Sequence, residues 1–174
     1  GMRVRIVARL LALALVVSPP SAAQAGAVHI ESGGIEGVPS GVPGVLVFRG
    51  VPYARPPVGA LRWQPPQPPA AWSGVRRADG VAPCCQQMPW SAPPWTAEFV
   101  TQERTSEDCL DLNLWTAQAP GSAKRPVLVW LHGGSLTGGS GAVAVYDGAQ
   151  LARRGLVVVT INYRLGALGF LRLR

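Results

Sequence analysis

The sequence predicts an α/β protein. Three observations carry that prediction. Residues 126–131 (Pro-Val-Leu-Val-Trp-Leu) and 156–161 (Leu-Val-Val-Val-Thr-Ile) are apolar without alternation, as in strands buried on both faces. The 24 residues between them, 132–155, admit the crossover that parallel neighbours require. Within that crossover a glycine-rich loop precedes a short helical stretch, 148–154, which Asp147 can cap and Gly155 can close.

The chain has 174 residues, enough for one domain of ordinary size. Its 17 Pro and 21 Gly argue against a helical bundle, because both residues break helices. Six Trp, few charges and several Val/Leu runs argue equally against disorder.

The N-terminus has its own layout. Arg3, Arg5 and Arg9 precede the apolar run 10–17, and Pro19, Pro20, Ala23 and Ala25 follow. This is the three-part pattern of a secretory signal peptide over residues 1–25, cut after Ala25. Gly1 ahead of Met2 lies outside that pattern. A secreted or periplasmic protein is therefore expected. The run is too short to span a membrane, which takes about 20 apolar residues. The formal charge of +7 falls to +4 once that segment is removed, with 13 Lys/Arg against nine Asp/Glu and no cluster. A nucleic-acid partner is not expected.

Export places the three cysteines, Cys84, Cys85 and Cys109, where disulfides persist. Adjacent cysteines rarely bond each other, so Cys84 or Cys85 is expected to pair with Cys109, leaving one thiol. Without C-x-x-C, and with His29 and His132 far away in sequence, no metal site is expected. No cofactor is expected either.

From residue 26 onward, 27–30 and 44–49 read as short strands. Residues 39–94 hold 13 of the 17 Pro and should form ordered loop over a surface. Tyr53, Trp63, Trp72, Trp90 and Trp95 argue against a flexible linker there. Residues 109–115 alternate Leu with Asp111 and Asn113, which predicts a strand at an edge or antiparallel position, with the leucines on its buried face. His29 reads as a solvated strand residue.

The chemistry concentrates at His132-Gly133-Gly134-Ser135-Leu-Thr-Gly138-Gly139-Ser140-Gly141, directly after the first buried strand. Ligands in open α/β sheets bind outside the carboxyl ends of strands. Glycines there let backbone N–H groups turn toward a ligand and hold a developing oxyanion. Lipases and esterases use an H-G-G-G type of loop in this way. Here Ser135 replaces the third glycine and retains its N–H. Gly139-Ser-Gly141 lacks the strand before it that a dinucleotide fingerprint needs. Ser140 imitates a nucleophile elbow, but has neither a strand before it nor a helix after it.

Blocks along the chain resemble the type-B carboxylesterases, the family of cholinesterases and bacterial p-nitrobenzyl esterases. Phe48-Arg-Gly-Val-Pro-Tyr-Ala-Arg-Pro-Pro57 is similar to "F-x-G-I-P-Y-A-x-P-P". Gly59-Ala-Leu-Arg-Trp63 is similar to "G-x-x-R-F", Trp72-Ser-Gly-Val-Arg76 to "W-x-G-V-R", and Pro83-Cys-Cys-Gln-Gln87 to "P-x-C-x-Q". Ser106-Glu-Asp-Cys-Leu-Asp-Leu-Asn113 resembles "S-E-D-C-L-x-L-N". The glycine loop, Tyr146-Asp-Gly148 and Asn162-Tyr-Arg-Leu-Gly-Ala-Leu-Gly-Phe170 follow in the family's order, so the resemblance covers residues 27–171.

The resemblance implies an α/β-hydrolase fold, with residues 26–174 as its N-terminal portion and antiparallel edge strands leading into a mostly parallel sheet. It implies hydrolysis of small carboxylic esters through an acyl-enzyme. Gly134 and Ser135 would donate to the oxyanion, with Gly133 giving the loop its freedom. It implies a Cys85–Cys109 disulfide with Cys84 free, and an Arg62–Glu107 ion pair, costly to break if buried. His132 would order the loop rather than act as a base. Trp90 and Trp95 would fall within the disulfide-closed loop, most simply as packing residues. The family's Ser nucleophile, on a G-x-S-x-G elbow, its acid and its His have no counterpart here. Nor has the carboxylate that meets Arg164. The chain by itself is therefore expected to be inactive. Two other readings follow from that absence: a non-catalytic binding or adhesion protein on this scaffold, or a gene fragment without function.

Overall fold

The computed structural model describes residues 27–88, 95–117 and 124–172. The expected signal segment and Trp90 lie outside the described residues. Among the described residues, no helix is long and apolar enough to cross a membrane.

Strands β1 (Ala27–Ile30) and β2 (Gly33–Glu36) form an antiparallel pair, and β5 (Val75–Arg77) joins β2 in parallel. Strands β3 (Val38–Pro39), β4 (Val45–Pro52), β8 (Asp111–Ala117), β9 (Val127–Leu131) and β10 (Val157–Ile161) make the main sheet, in the order β3-β4-β8-β10-β9. Two two-residue strands, β6 (Cys84–Cys85) and β7 (Thr105–Ser106), pair beside the disulfide. The helices are α1 (Ala149–Arg153) and α2 (Gly166–Phe170).

The apolar runs pair as their spacing predicts. Strands β9 and β10 are parallel, with Val129 opposite Val159, and α1 lies on the crossover between them. Every other pairing in the main sheet is antiparallel. Antiparallel strands thus lead into one parallel pair. Asp147 accepts the Ala149 N–H at 2.8 Å, which satisfies a donor of the first helical turn.

Burial follows from this layering. On one face α1 covers Val45, Val47, Trp115 and Val158 through Ala149 and Ala152. On the other, Phe48 and Val51 pack with Ile35 and Ala78, flanked by Leu112, Leu114 and Trp72. The proline-rich stretch is ordered where it is described. The Trp72 indole N–H donates to the Gly34 carbonyl at 2.8 Å, and the Arg55 N–H to the Gln67 carbonyl at 2.9 Å.

Two expectations are corrected. Strand β8 is antiparallel to both its neighbours, β4 and β10, as one of the two expected positions has it; the correction concerns its faces. Its deeper face carries Asn113 and Trp115, while Leu112 and Leu114 are half-buried. The reason is polar satisfaction. The Asn113 amide donates to Thr160 Oγ1 at 3.2 Å and the Gly141 carbonyl at 3.4 Å, and accepts the Gly50 N–H at 3.3 Å. Strand β9 is exposed along its whole length, from 37% at Leu128 to 63% at Leu131. Among the described residues it pairs only with β10, so one of its edges carries no strand.

Candidate functional site

The glycine-rich loop leaves the carboxyl end of β9. Its first residue, His132, is 3% exposed. The imidazole stacks on Tyr163 at 4.3 Å between centroids, and the Tyr163 hydroxyl donates to the His132 carbonyl at 2.6 Å. His132 Nδ1 stands 2.9 Å from the Gly133 carbonyl, which assigns the proton of a neutral ring to Nδ1. Burial pushes the imidazole below its ordinary pKa, so the ring is neutral at neutral pH.

Beyond His132 the backbone enters the left-handed region three times running, at Gly134 (φ +118°), Ser135 (+53°) and Leu136 (+61°). For Ser and Leu this conformation costs about 1–2 kcal/mol each. The turn is closed on Gly134, whose carbonyl accepts the N–H groups of Thr137 and Gly138 at 3.0 and 3.1 Å. It also accepts the Thr137 hydroxyl at 3.1 Å. Residues 133–137 are exposed. Among the described residues, neither the Gly134 nor the Ser135 N–H has an acceptor. The three residues expected to serve an oxyanion therefore share one exposed turn, with two donors uncommitted.

Three supports outside the turn hold it. Tyr163 is one. The second is the Gly166 N–H at the start of α2, which donates to the Leu136 carbonyl at 2.7 Å. The third is Gln87. Its Oε1 accepts the Gly139 N–H at 2.8 Å, while its Nε2 donates to the Gly139 carbonyl at 2.8 Å and the Cys85 carbonyl at 3.0 Å.

Behind Gln87 stands the Cys85–Cys109 disulfide, with its Cα atoms 5.0 Å apart, packed with Ala54, Leu110 and Leu165. Cys84 is the free thiol. It is buried, and desolvation pushes its pKa up. Arg62 and Glu107 form a two-bond ion pair at 2.6 and 2.7 Å. Their side chains are 39% and 27% exposed, so the pair is not buried and the large cost attached to a buried pair does not apply. Beside it a shallow cleft is lined by Pro57, Trp63, Gln86, Arg164 and Leu168 together with the disulfide, and by no residue of the glycine loop. Arg164 donates to the Gln64 carbonyl at 3.0 Å.

Ser140 is fully buried. Its hydroxyl donates to Asn162 Oδ1 at 3.3 Å and accepts the Ala142 N–H at 3.0 Å. It locks the crossover to the sheet and is unavailable to a substrate.

Sequence reasoning gave no role to Gln87 or Tyr163, nor to three residues beneath the loop. Asn113, Thr160 and Asn162 make the buried polar network under the loop; the Asn162 Oδ1 also accepts the Gly141 N–H at 2.8 Å. Asp111 lies on the same strand, two residues before Asn113. Burial raises its carboxyl to about 6, with the Asp108 charge adding to the shift. Polar residues inside apolar strands were the available signal for Asn113 and Thr160. Among the described residues, no group of three His, Cys, Asp or Glu side chains stands close enough to hold a metal ion.

Antiparallel strands feeding a parallel pair through a helical crossover, with a glycine turn at the strand's carboxyl end, define part of an α/β-hydrolase domain. The chain belongs to the carboxylesterase family, whose family model matches residues 24–174. It is 48% identical over 143 residues to the fumonisin B1 esterase of Sphingopyxis macrogoltabida, covering 82% of this chain and 25% of that protein. Neuroligin-2 of Mus musculus is 42% identical over 159 residues, covering 73% of this chain and 19% of that protein. The solved structure of a thermophilic PNB esterase superposes with a TM-score of 0.75 at 38% identity, over 86% of this chain and 30% of the other. The chain thus spans about a quarter of the length of the relatives it matches.

Proposed function

We propose that the chain forms the opening part of an exported serine carboxylesterase that hydrolyses small carboxylic esters through an acyl-enzyme. One observation carries the reading. Two uncommitted N–H groups, of Gly134 and Ser135, sit on an exposed turn held from three sides at the end of β9. Donors fixed in advance of the reaction stabilise the negative charge that appears as an ester carbonyl becomes tetrahedral. They act on the transition state more than on the substrate and so raise kcat.

Gly133 gives this turn its freedom. The Cys85–Cys109 disulfide braces it through Gln87, and the Arg62–Glu107 pair stands beside that disulfide in the adjoining cleft. The family's nucleophile, base and acid are not among these residues, and the 174 residues alone do not turn over ester. Residues 1–25 direct export and are removed after Ala25, leaving residues 26–174 as part of the hydrolase domain.

The test is p-nitrophenyl acetate hydrolysis by the 174-residue chain and by the protein encoded when the reading frame is followed past Arg174. The longer protein is expected to show saturable turnover abolished by a serine reagent, and the shorter none. Saturable, reagent-sensitive turnover by the 174 residues would overturn the division of labour. A folded longer protein without turnover would overturn the esterase reading.

A further inference from the structure

We infer that Gln87 is the positioning residue of the glycine loop, a side chain that holds the two oxyanion donors in place without touching substrate. The inference rests on the esterase reading for its catalytic consequence. Its geometric part stands independently.

The Gln87 carboxamide pairs with both backbone polar groups of Gly139. It accepts the N–H and donates to the carbonyl, each at 2.8 Å, as one strand residue does to its neighbour. A third bond, to the Cys85 carbonyl at 3.0 Å, ties the same amide to the disulfide-bonded residue. Gln87 is half-buried, so these bonds are shielded in part from competing water.

Gly139 transmits the constraint. It has φ +113°, and a Cβ there would collide with His132 Nδ1 and with the Gly133 carbonyl. Its neighbour Gly138 lies equally close to the turn, since a Cβ on Gly134 would strike the Gly138 carbonyl. The backbone that Gln87 grips is therefore pressed directly against His132 and Gly133, which precede the donors, and against Gly134, which is one of them. If Gly139 moves, His132, Gly133 and Gly134 lose their backstop. The disulfide matters here because it fixes the carbonyl of Cys85, two residues from the Gln87 side chain's root.

The test uses two variants. Gln87→Met keeps length and apolar packing but removes all three amide bonds. Gln87→Glu keeps the acceptor for the Gly139 N–H and removes both donated bonds. In the 174-residue chain, amide exchange at Gly138 and Gly139 should rise about tenfold or more in Gln87→Met and less in Gln87→Glu. Amides of β4, β8 and β10 should stay within about twofold of wild type. In the longer protein, Gln87→Met should lower kcat on p-nitrophenyl acetate about tenfold or more with KM changed less than about twofold, because the oxyanion exists only beyond the ground state. Unchanged exchange at Gly139 would overturn the proposal. So would equal loosening of the whole sheet in both variants, or an unchanged kcat in a longer protein whose wild type is active. Absence of turnover in the wild type would instead sink the esterase reading, and the exchange data would still decide the role of Gln87 in the loop.

Discussion

Tyr163 both stacks on His132 and donates its hydroxyl to the His132 carbonyl, at 2.6 Å. One side chain thereby fixes the ring and the backbone of the residue that opens the glycine turn. Tyr163→Phe keeps the stack and loses the hydrogen bond. It should cost about 1 kcal/mol of stability, the usual net worth of such a bond. Urea unfolding of the variant checks this, and a difference below about 0.3 kcal/mol would show that water replaces the hydroxyl without loss.

Acid should weaken the fold through His132. Burial lowers the folded-state pKa below the ordinary value of 6.5, so the unfolded chain binds the proton more readily. Stability is lost as pH falls below about 6.5, until the folded ring also protonates. An NMR titration of the His132 ring should give a midpoint below 6.5. A midpoint at or above that value would contradict the burial argument.

Asp111 has the opposite sign. Its carboxyl is raised from 3.8 to about 6 in the fold. Its protonated form stabilises the fold below the unfolded value, and this contribution is lost as pH rises through about 6. Asp111→Asn should therefore stabilise the chain at pH 7–8 by about 1–2 kcal/mol, after allowing for partial solvent contact. The gain should vanish near pH 4. A variant less stable than wild type at pH 8 would reveal an unrecognised partner for the carboxylate.

The Arg62–Glu107 pair should contribute only above the carboxyl range. Its hydrogen bonds hold Glu107 below the ordinary carboxylate value, so the stability it gives is lost as pH falls through that lowered pKa. Glu107→Gln should lower Tm at pH 7, less so at high salt, and not at all in strong acid. A salt-independent loss would mean that the pair is better shielded than its exposure indicates.

Reduction should separate the cysteines. Opening Cys85–Cys109 removes the constraint on a loop of about 25 residues, worth roughly 3.5 kcal/mol in the chain-entropy model. Cys84 is buried with a raised pKa, so in the oxidised native chain it should resist a maleimide and react only on unfolding. Fast native labelling would show that the β6–β7 region opens locally.

The parallel pairing of β9 with β10 was legible because a crossover needs length and the 24 residues supplied it. The disulfide partner and the ion pair were legible only through the resemblance, since nothing local distinguishes Cys84 from Cys85. The faces of β8 were misread because alternation ranks positions by polarity, and Asn113 is buried by virtue of its polarity, having partners on three segments. The exposure of β9 was misread because an apolar run states what a strand can bury, not what covers it. Gln87 closes the "P-x-C-x-Q" block, but its role was not legible, because its partner lies 52 residues away.

That separation has a consequence in time. The turn's supports come from Gln87, Tyr163 and Gly166, and only the last two follow it in the chain. Contacts between distant residues require the intervening segments to be arranged first, because closing a long loop is entropically costly. The glycine turn is therefore expected to take its shape late, after the disulfide region and the β10–α2 corner are in place. Its order is a readout of completed folding, and a chain with a formed sheet but a slack turn would be native by circular dichroism and still unfinished where the chemistry belongs.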